Sequence, residues 1–134
     1  MRFVTLARYD PKTDQWTPIA DLNYARGRAS SVAHNGRIFI AGGSHDNPTS
    51  MEMYDPTTNT WTLVKPMSTA RDRLALAHFD GRIWAMGGGR FGGRLCESYD
   101  PNTDRWRPES TMLKKRSDFK AIEFNGGLYA LGGE

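Results

Sequence analysis

Short runs of β-forming residues, broken at regular intervals by turn residues, make up the pattern of this chain. In residues 49–55, Thr-Ser-Met-Glu-Met-Tyr-Asp, apolar and polar positions alternate enough to predict a strand with Met51 and Met53 on one face. Asp55-Pro56-Thr57-Thr58-Asn59 reads as a turn, because proline presets φ and the Asp and Asn side chains bond their own backbone. Thr60-Trp61-Thr62-Leu63-Val64 is rich in β-formers and predicts a second strand. After a proline-containing loop from Lys65 to Ala70, strands over 73–79 and 82–86 flank Asp80-Gly81. An Asp-Gly or Asn-Gly link of two residues is a strong hairpin signal, since both positions want φ > 0. Asn35-Gly36 and Asn125-Gly126 repeat it. No segment sustains a helical period, so the prediction is all-β.

The pattern recurs with a period of 45 residues and no gap. Tyr9, Tyr54 and Tyr99 are 45 apart, as are Trp16, Trp61 and Trp106, and the pairs Gly42-Gly43, Gly87-Gly88 and Gly132-Gly133. A fixed period of this size marks one supersecondary unit repeated, here over about 1–45, 46–90 and 91–134. Four short antiparallel strands per period is the content of a propeller blade. A WD repeat would place Asp after its tryptophan, but Thr17, Thr62 and Arg107 stand there. Each unit instead carries an apolar strand ending in Gly-Gly, then Tyr-Asp-Pro-x-Thr-x-x-Trp, with Arg26, Arg71 or Arg116 standing 16 residues before the glycine pair. This resembles the Kelch family over almost the whole chain. In the repeat, the Tyr, Trp and Gly-Gly positions read as scaffold: the aromatic pair packs within and between blades, and glycine turns where a Cβ would clash.

In the strand order the resemblance implies, counted outwards from the channel with the glycine pair ending the second strand, the chain begins with a half-blade over 3–19. Complete blades follow over 28–65 and 73–108, and a half-blade over 117–132 ends it. The terminal halves are complementary, and a lone hairpin with an exposed edge is marginal in water. Three blades fall below the usual propeller range of roughly four to eight. The expectation is therefore a homodimer, two chains closing a six-bladed Kelch-type ring with strand-shared blades, with a homotrimer as runner-up. Such a chain reads as a self-assembling scaffold, engineered or derived by duplication. The rival is a fragment of a Kelch enzyme or ligase adaptor.

Composition narrows the chemistry. The net charge of +3 is a mild excess, spread along the chain apart from Lys114-Lys115-Arg116, with no basic stripe interleaved with aromatics, so nucleic acid is not an expected partner. No apolar run approaches the roughly 20 residues of a membrane helix, and Met1-Arg2-Phe3-Val4-Thr5 lacks a signal-peptide core. The lone Cys96 excludes an intrachain disulfide and fits a reducing, cytoplasmic setting as a buried thiol. His34, His45 and His78 show no metal-ligand spacing, and no nucleophile motif is present, so no cofactor, metal or catalytic residue is expected. Some Kelch propellers are copper oxidases or sialate mutarotases, but a copper radical site needs a tyrosine–cysteine pair with histidine ligands, and this chain's residues do not suggest one.

In similar ligase-adaptor Kelch proteins the arginine before each first strand can line the pocket mouth and bind acidic peptide. The resemblance carries that role to Arg26, Arg71 and Arg116, and places on the same face the loops that hold Ser44, His45 and Arg90. Guanidiniums ringing one opening would suit carboxylates, phosphate or sulfate. The alternative is that each arginine bonds neighbouring carbonyls and braces its blade. Bulky Leu74 and Phe119, near positions where the family often has small residues, bear on the pocket's width.

Overall fold

A computed structural model describes residues 6–89 and 91–134. Its strands are β1 (Ala7–Asp10), β2 (Gln15–Pro18), β3 (Arg26–Gly27), β4 (Ser30–His34), β5 (Arg37–Ala41), β6 (Ser44–His45), β7 (Met51–Asp55), β8 (Thr60–Leu63), β9 (Ala75–Phe79), β10 (Arg82–Met86), β11 (Cys96–Asp100), β12 (Arg105–Glu109), β13 (Lys120–Phe124) and β14 (Gly127–Leu131). Two antiparallel four-stranded blades, in the orders β4-β5-β7-β8 and β9-β10-β11-β12, lie between two-stranded sheets, β1-β2 and β13-β14. The innermost strands β4, β9 and β13 stand side by side, with β9 in contact with both of the others. Among the described residues no helix is long and apolar enough to cross a membrane.

The turns form where the sequence places them. Asn35-Gly36, Asp80-Gly81 and Asn125-Gly126 all have positive φ at both positions. In the longer turns Asp55 accepts the Thr57 N–H at 3.0 Å, and Asn59 takes the left-handed conformation at φ 53°. β9 and β13 begin later than the pattern predicts, at Ala75 and Lys120, for one shared reason. Arg73 and Asp118 adopt φ of 57° and 55°, and their N–H groups turn out of the ladder towards the neighbouring blade. The N-terminal half-blade is described from residue 6; the remainder of its predicted strand, 3–5, lies outside the described residues.

The core lies between the complete blades, where Phe39, Ala41, Met51, Met67, Leu74, Leu76, Ile83, Ala85 and Tyr99 pack together. Burying the Phe, Met, Leu and Ile side chains among them contributes roughly 1.5–3 kcal/mol each. Met51 is fully enclosed and Met53 packs at its side, on the predicted face. Glu52, on the opposite face of the same strand, is also enclosed, which only a charged partner makes tolerable.

Candidate functional site

The three repeat arginines leave their linkers by the same route. Arg26 Nη1 donates to the Gly42 carbonyl at 2.9 Å, Arg71 Nη1 to Gly87 at 2.8 Å, and Arg116 Nη1 to Gly132 at 2.7 Å. Arg26 goes on to Glu52 Oε2 through Nη2 at 2.9 Å and Nε at 3.2 Å, with both side chains wholly buried. Arg71 Nη2 reaches Glu97 Oε2 at 3.1 Å, and its side chain is 1 % exposed. Both guanidiniums are committed to the blade interior rather than to a pocket mouth, which revises the ligand role that resemblance gave them. Arg116 is half-buried. Of the associated loop residues, Ser44 donates from Oγ to the Gly27 carbonyl at 3.2 Å. His45 pairs with Arg26 through the backbone, while its side chain and Arg90 lie outside the described residues.

The aromatic scaffold is repeated with equal fidelity. Tyr54–Trp61 and Tyr99–Trp106 have ring centroids 5.0 and 5.2 Å apart, and Tyr9–Trp16 stands at 5.3 Å. Trp61 Nε1 donates to the Ala20 carbonyl at 3.0 Å, while the Ala20 N–H returns to Asn59 Oδ1 at 3.0 Å. Trp106 Nε1 and Asp104 Oδ1 clasp Lys65 in the same way, at 2.7 and 2.9 Å. Each clasp ties the incoming linker to the outer strand of the blade it enters. The glycine pairs join one blade to the next. Gly43 N–H donates to the Arg71 carbonyl at 2.8 Å, and a Cβ on Gly42 would collide with that carbonyl. Gly88 N–H donates to the Arg116 carbonyl at 2.9 Å, and a Cβ on Gly87 would lie 2.6 Å from it.

A cleft of about 470 Å³ opens where the three innermost strands begin, lined by residues 28–31, 73–76 and 118–121. Its charged rim, Arg28, Arg73, Asp118 and Lys120, escaped the sequence reading. The signal was available: Arg28, Arg73 and Asp118 share the 45-residue period, two positions after the repeat arginines. All three are left-handed, with φ of 59°, 57° and 55°. Backbone bonds run between blades through them, Asp118 N–H to Arg73 O and Arg73 N–H to Arg28 O, both at 2.9 Å. Arg73 is about a third exposed and lies 3.5 Å from Asp72 and 3.9 Å from Asp118. Leu74 and Phe119 are buried in the floor of this cleft, so their bulk sets its depth.

The remaining titratable groups do not assemble. Among the described residues no three His, Cys, Asp or Glu side chains gather as a metal site. His34 and His78 lie in neighbouring blades with ring centroids 6.2 Å apart; desolvation first, then the His78 charge, lowers the His34 pKa. Cys96 is buried in β11, and burial pushes its thiol up, away from the reactive thiolate.

A family model described as the Kelch motif matches residues 25–68 and 70–113, the two complete units. No curated protein matches the chain. Among solved structures it is similar to one described as "Structure of YjhT", with a TM-score of 0.82 and 16 % identity over 98 % of this chain and 51 % of that one. The chain thus spans about half the length of that neighbour, and at such identity the likeness is one of fold.

Proposed function

The chain belongs to the Kelch-motif family of β-propellers, and from that premise we propose that it is a self-assembling half-propeller scaffold, two copies closing a six-bladed ring without catalytic chemistry of its own. One observation carries this reading. Trp16 stacks on Tyr9 and Asp14 accepts the Tyr9 hydroxyl at 2.6 Å, the geometry of the Trp61/Asn59 and Trp106/Asp104 clasps, yet Trp16 is 68 % exposed. Ala20 and Lys65 are the clasped residues, and one period further on stands Ser110. In a closed ring, Trp16 and Asp14 of the second copy grip the backbone of Ser110 of the first.

The seam agrees at other points. Carrying the pairings Ile38↔Tyr54 and Ile83↔Tyr99 one period onward sets Leu128 opposite Tyr9 of the second copy. The inter-blade backbone series ends at the Asp118 carbonyl on one side and the Arg28 N–H on the other, which then meet. β13 and β14 expose Ile122, Phe124, Tyr129 and Leu131, all between 48 % and 60 %, an apolar face that a neighbouring blade covers. Buried Cys96 suits a reducing, cytoplasmic setting. Sedimentation velocity at micromolar concentration tests the reading. A dimer is expected, and a folded monomer of 15.1 kDa overturns it; a trimer would make the ring nine-bladed.

A second reading has its own observation, the cleft rimmed by Arg28, Arg73 and Lys120. As an interaction module the ring would take acidic peptide or small oxyanions there, where three cations outnumber the one rim carboxylate, Asp118, on a concave surface. The test is binding of an acidic peptide at low salt to the chain and to Arg28→Ala/Arg73→Ala/Lys120→Ala. Saturable binding lost in the triple variant supports the reading; no binding at low salt, where electrostatic capture is strongest, leaves the bare scaffold.

A further inference from the structure

Each complete blade closes its linker arginine onto a carboxylate of its own third strand. Glu52 Oε1 accepts the Asn23 N–H at 2.8 Å and Nδ2 at 2.9 Å, while Oε2 accepts the Tyr24 N–H at 3.2 Å and Arg26 Nη2 at 2.9 Å. Glu97 Oε1 accepts the Ser68 N–H at 3.0 Å and Oγ at 3.1 Å, and Oε2 accepts Arg71 Nη2. The carboxylate is thus the shared acceptor for a linker N–H and the guanidinium, sealed from water in both blades. The terminal unit has the donors in the same places. Arg116 is seated on the Gly132 carbonyl as its counterparts are on Gly42 and Gly87, and Leu113 occupies the position of Asn23 and Ser68. Among the described residues Arg116 has no carboxylate partner.

In the ring closed by a second copy, that carboxylate would come from the second copy's first strand. Glu97 and Glu52 are one period apart, and the residue one period earlier is Ala7. Register leads to the same place: Ile40 faces Glu52 and Ala85 faces Glu97, so Ala130 faces Ala7 across the shared blade. Closure would therefore bury a guanidinium and a linker N–H around the space where a Glu side chain belongs. A buried charge without a counter-ion is strongly unfavourable, and water does not neutralise it.

We propose that each shared blade holds a carboxylate-binding seat, made by Arg116 and the Leu113 N–H and left open by Ala7, which takes up a small monocarboxylate as the ring closes. The inference rests on two-copy closure. The ligand replaces the carboxylate head of Glu52 and Glu97, and bidentate acceptance from guanidinium and amide favours a planar carboxylate over a spherical anion. Because it binds the assembled state, it strengthens assembly by mass action. With a seam at each end of the two-chain ring, the logarithm of the dimer dissociation constant falls with a slope approaching two against the logarithm of acetate concentration.

The experiment compares the chain, Ala7→Glu and Ala7→Gln by sedimentation equilibrium in sodium acetate and in sodium chloride at equal ionic strength. The expected result is an unmodified dimer about a hundredfold tighter in acetate than in chloride, roughly tenfold for each of its two seats, the measure of one well-placed charged hydrogen-bond set at each seam. Ala7→Glu should tighten the dimer in chloride by at least the same factor and abolish the acetate effect, while Ala7→Gln should fall short of it. Where the dimer is too tight to dissociate, the same ordering is read in thermal unfolding midpoints. A dimer indifferent to acetate and unmoved or weakened by Ala7→Glu overturns the carboxylate seat and leaves closure standing. A monomer in every salt overturns closure, and the seat with it.

Discussion

Trp61 and Trp16 stand in the same motif, stack on their tyrosines at nearly the same distance, and differ in what lies beyond them. Trp61 reaches the Ala20 carbonyl and is half-buried, whereas Trp16 is 68 % exposed. The same contrast recurs at other positions of the complete blades and the terminal hairpins. Gly42 and Gly87 press against the carbonyl of the next arginine, while Gly132 has open space around it. Ala41 and Met86 are buried, and their counterpart Leu131 is 53 % exposed. Local geometry is therefore built by each unit alone, but burial is conferred by the neighbour. A blade is fully buried only when another one flanks it, so a nearest-neighbour interface term adds to each repeat's own stability.

The largest expected effect separates the arginines. Arg71→Ala leaves Glu97 enclosed without its counter-charge, and breaking a buried pair from one side costs about 3–5 kcal/mol. Arg116→Ala, with no carboxylate to abandon, should cost under ~1 kcal/mol of chain stability. Chemical denaturation of both variants measures the gap; equal losses would mean that Arg71 and Arg116 do the same work and that the complete blades are not special in this respect.

The tryptophans come next. Trp61→Ala should cost ~3–5 kcal/mol wherever it is measured, as for truncation of a large packed aromatic. Trp16→Ala should leave unfolding of the isolated chain within ~0.5 kcal/mol, as an exposed substitution does, and weaken the proposed dimer instead. If Trp16→Ala changed neither assembly nor stability, the exposed clasp would have no partner and the contrast between the two regions would lose its assembly meaning.

Glycine gives a smaller separation. Alanine at Gly42 meets a backbone oxygen that cannot withdraw, adding an overpacking cost of about 1–3 kcal/mol to the strain of a left-handed backbone at φ 70°. Alanine at Gly132 carries the strain alone, about 1–2 kcal/mol. Thermal melts of the two variants should differ by the collision. The difference should shrink under conditions where two copies close, because the Arg26 carbonyl of the second copy would then face Gly132.

The repeat, its turns and its propeller class were legible in sequence because each is carried by spacing: Tyr54 to Trp61, Asp80-Gly81, the glycine pairs. The arginines were legible as positions but not as roles. Nothing in the spacing of Arg71 says which way its guanidinium points; Glu97 decides that, and it lies 26 residues away on the third strand. The cleft rim was missed for a related reason. Arg28 and Arg73 differ from Asp118 in charge, so a search for one residue type per period passes over them. What they share is a backbone conformation, φ near 57° in all three, that bulky side chains rarely adopt and that composition does not advertise. Arg116 shows the limit from the other side, since its motif is intact while, among the described residues, no carboxylate meets it.

The finest comparison lies within the clasps themselves. Asn59 and Asp104 hold the same place, each accepting a tyrosine hydroxyl and a linker N–H, at 2.8 and 3.0 Å for Asn59 and at 2.7 and 2.9 Å for Asp104. Only Asp104 titrates. The Lys65 N–H first, then the Tyr99 hydroxyl, lowers its pKa from 3.8. A carboxyl whose folded pKa lies below its unfolded value binds fewer protons when folded, so stability rises with pH. The contribution of Asp104 is thus complete above pH 3.8 and is lost as pH falls through the lowered value. Asp104→Asn should copy the other blade. It should be slightly less stable than the parent near neutrality, where a charge-assisted bond is exchanged for a neutral one, and should converge on it at acid pH. Urea melts from pH 7 to pH 3 read the difference between the two curves. A gap that stays constant across that range would show that the Asp104 charge contributes nothing, and that the two clasps are equivalent in chemistry as well as in shape.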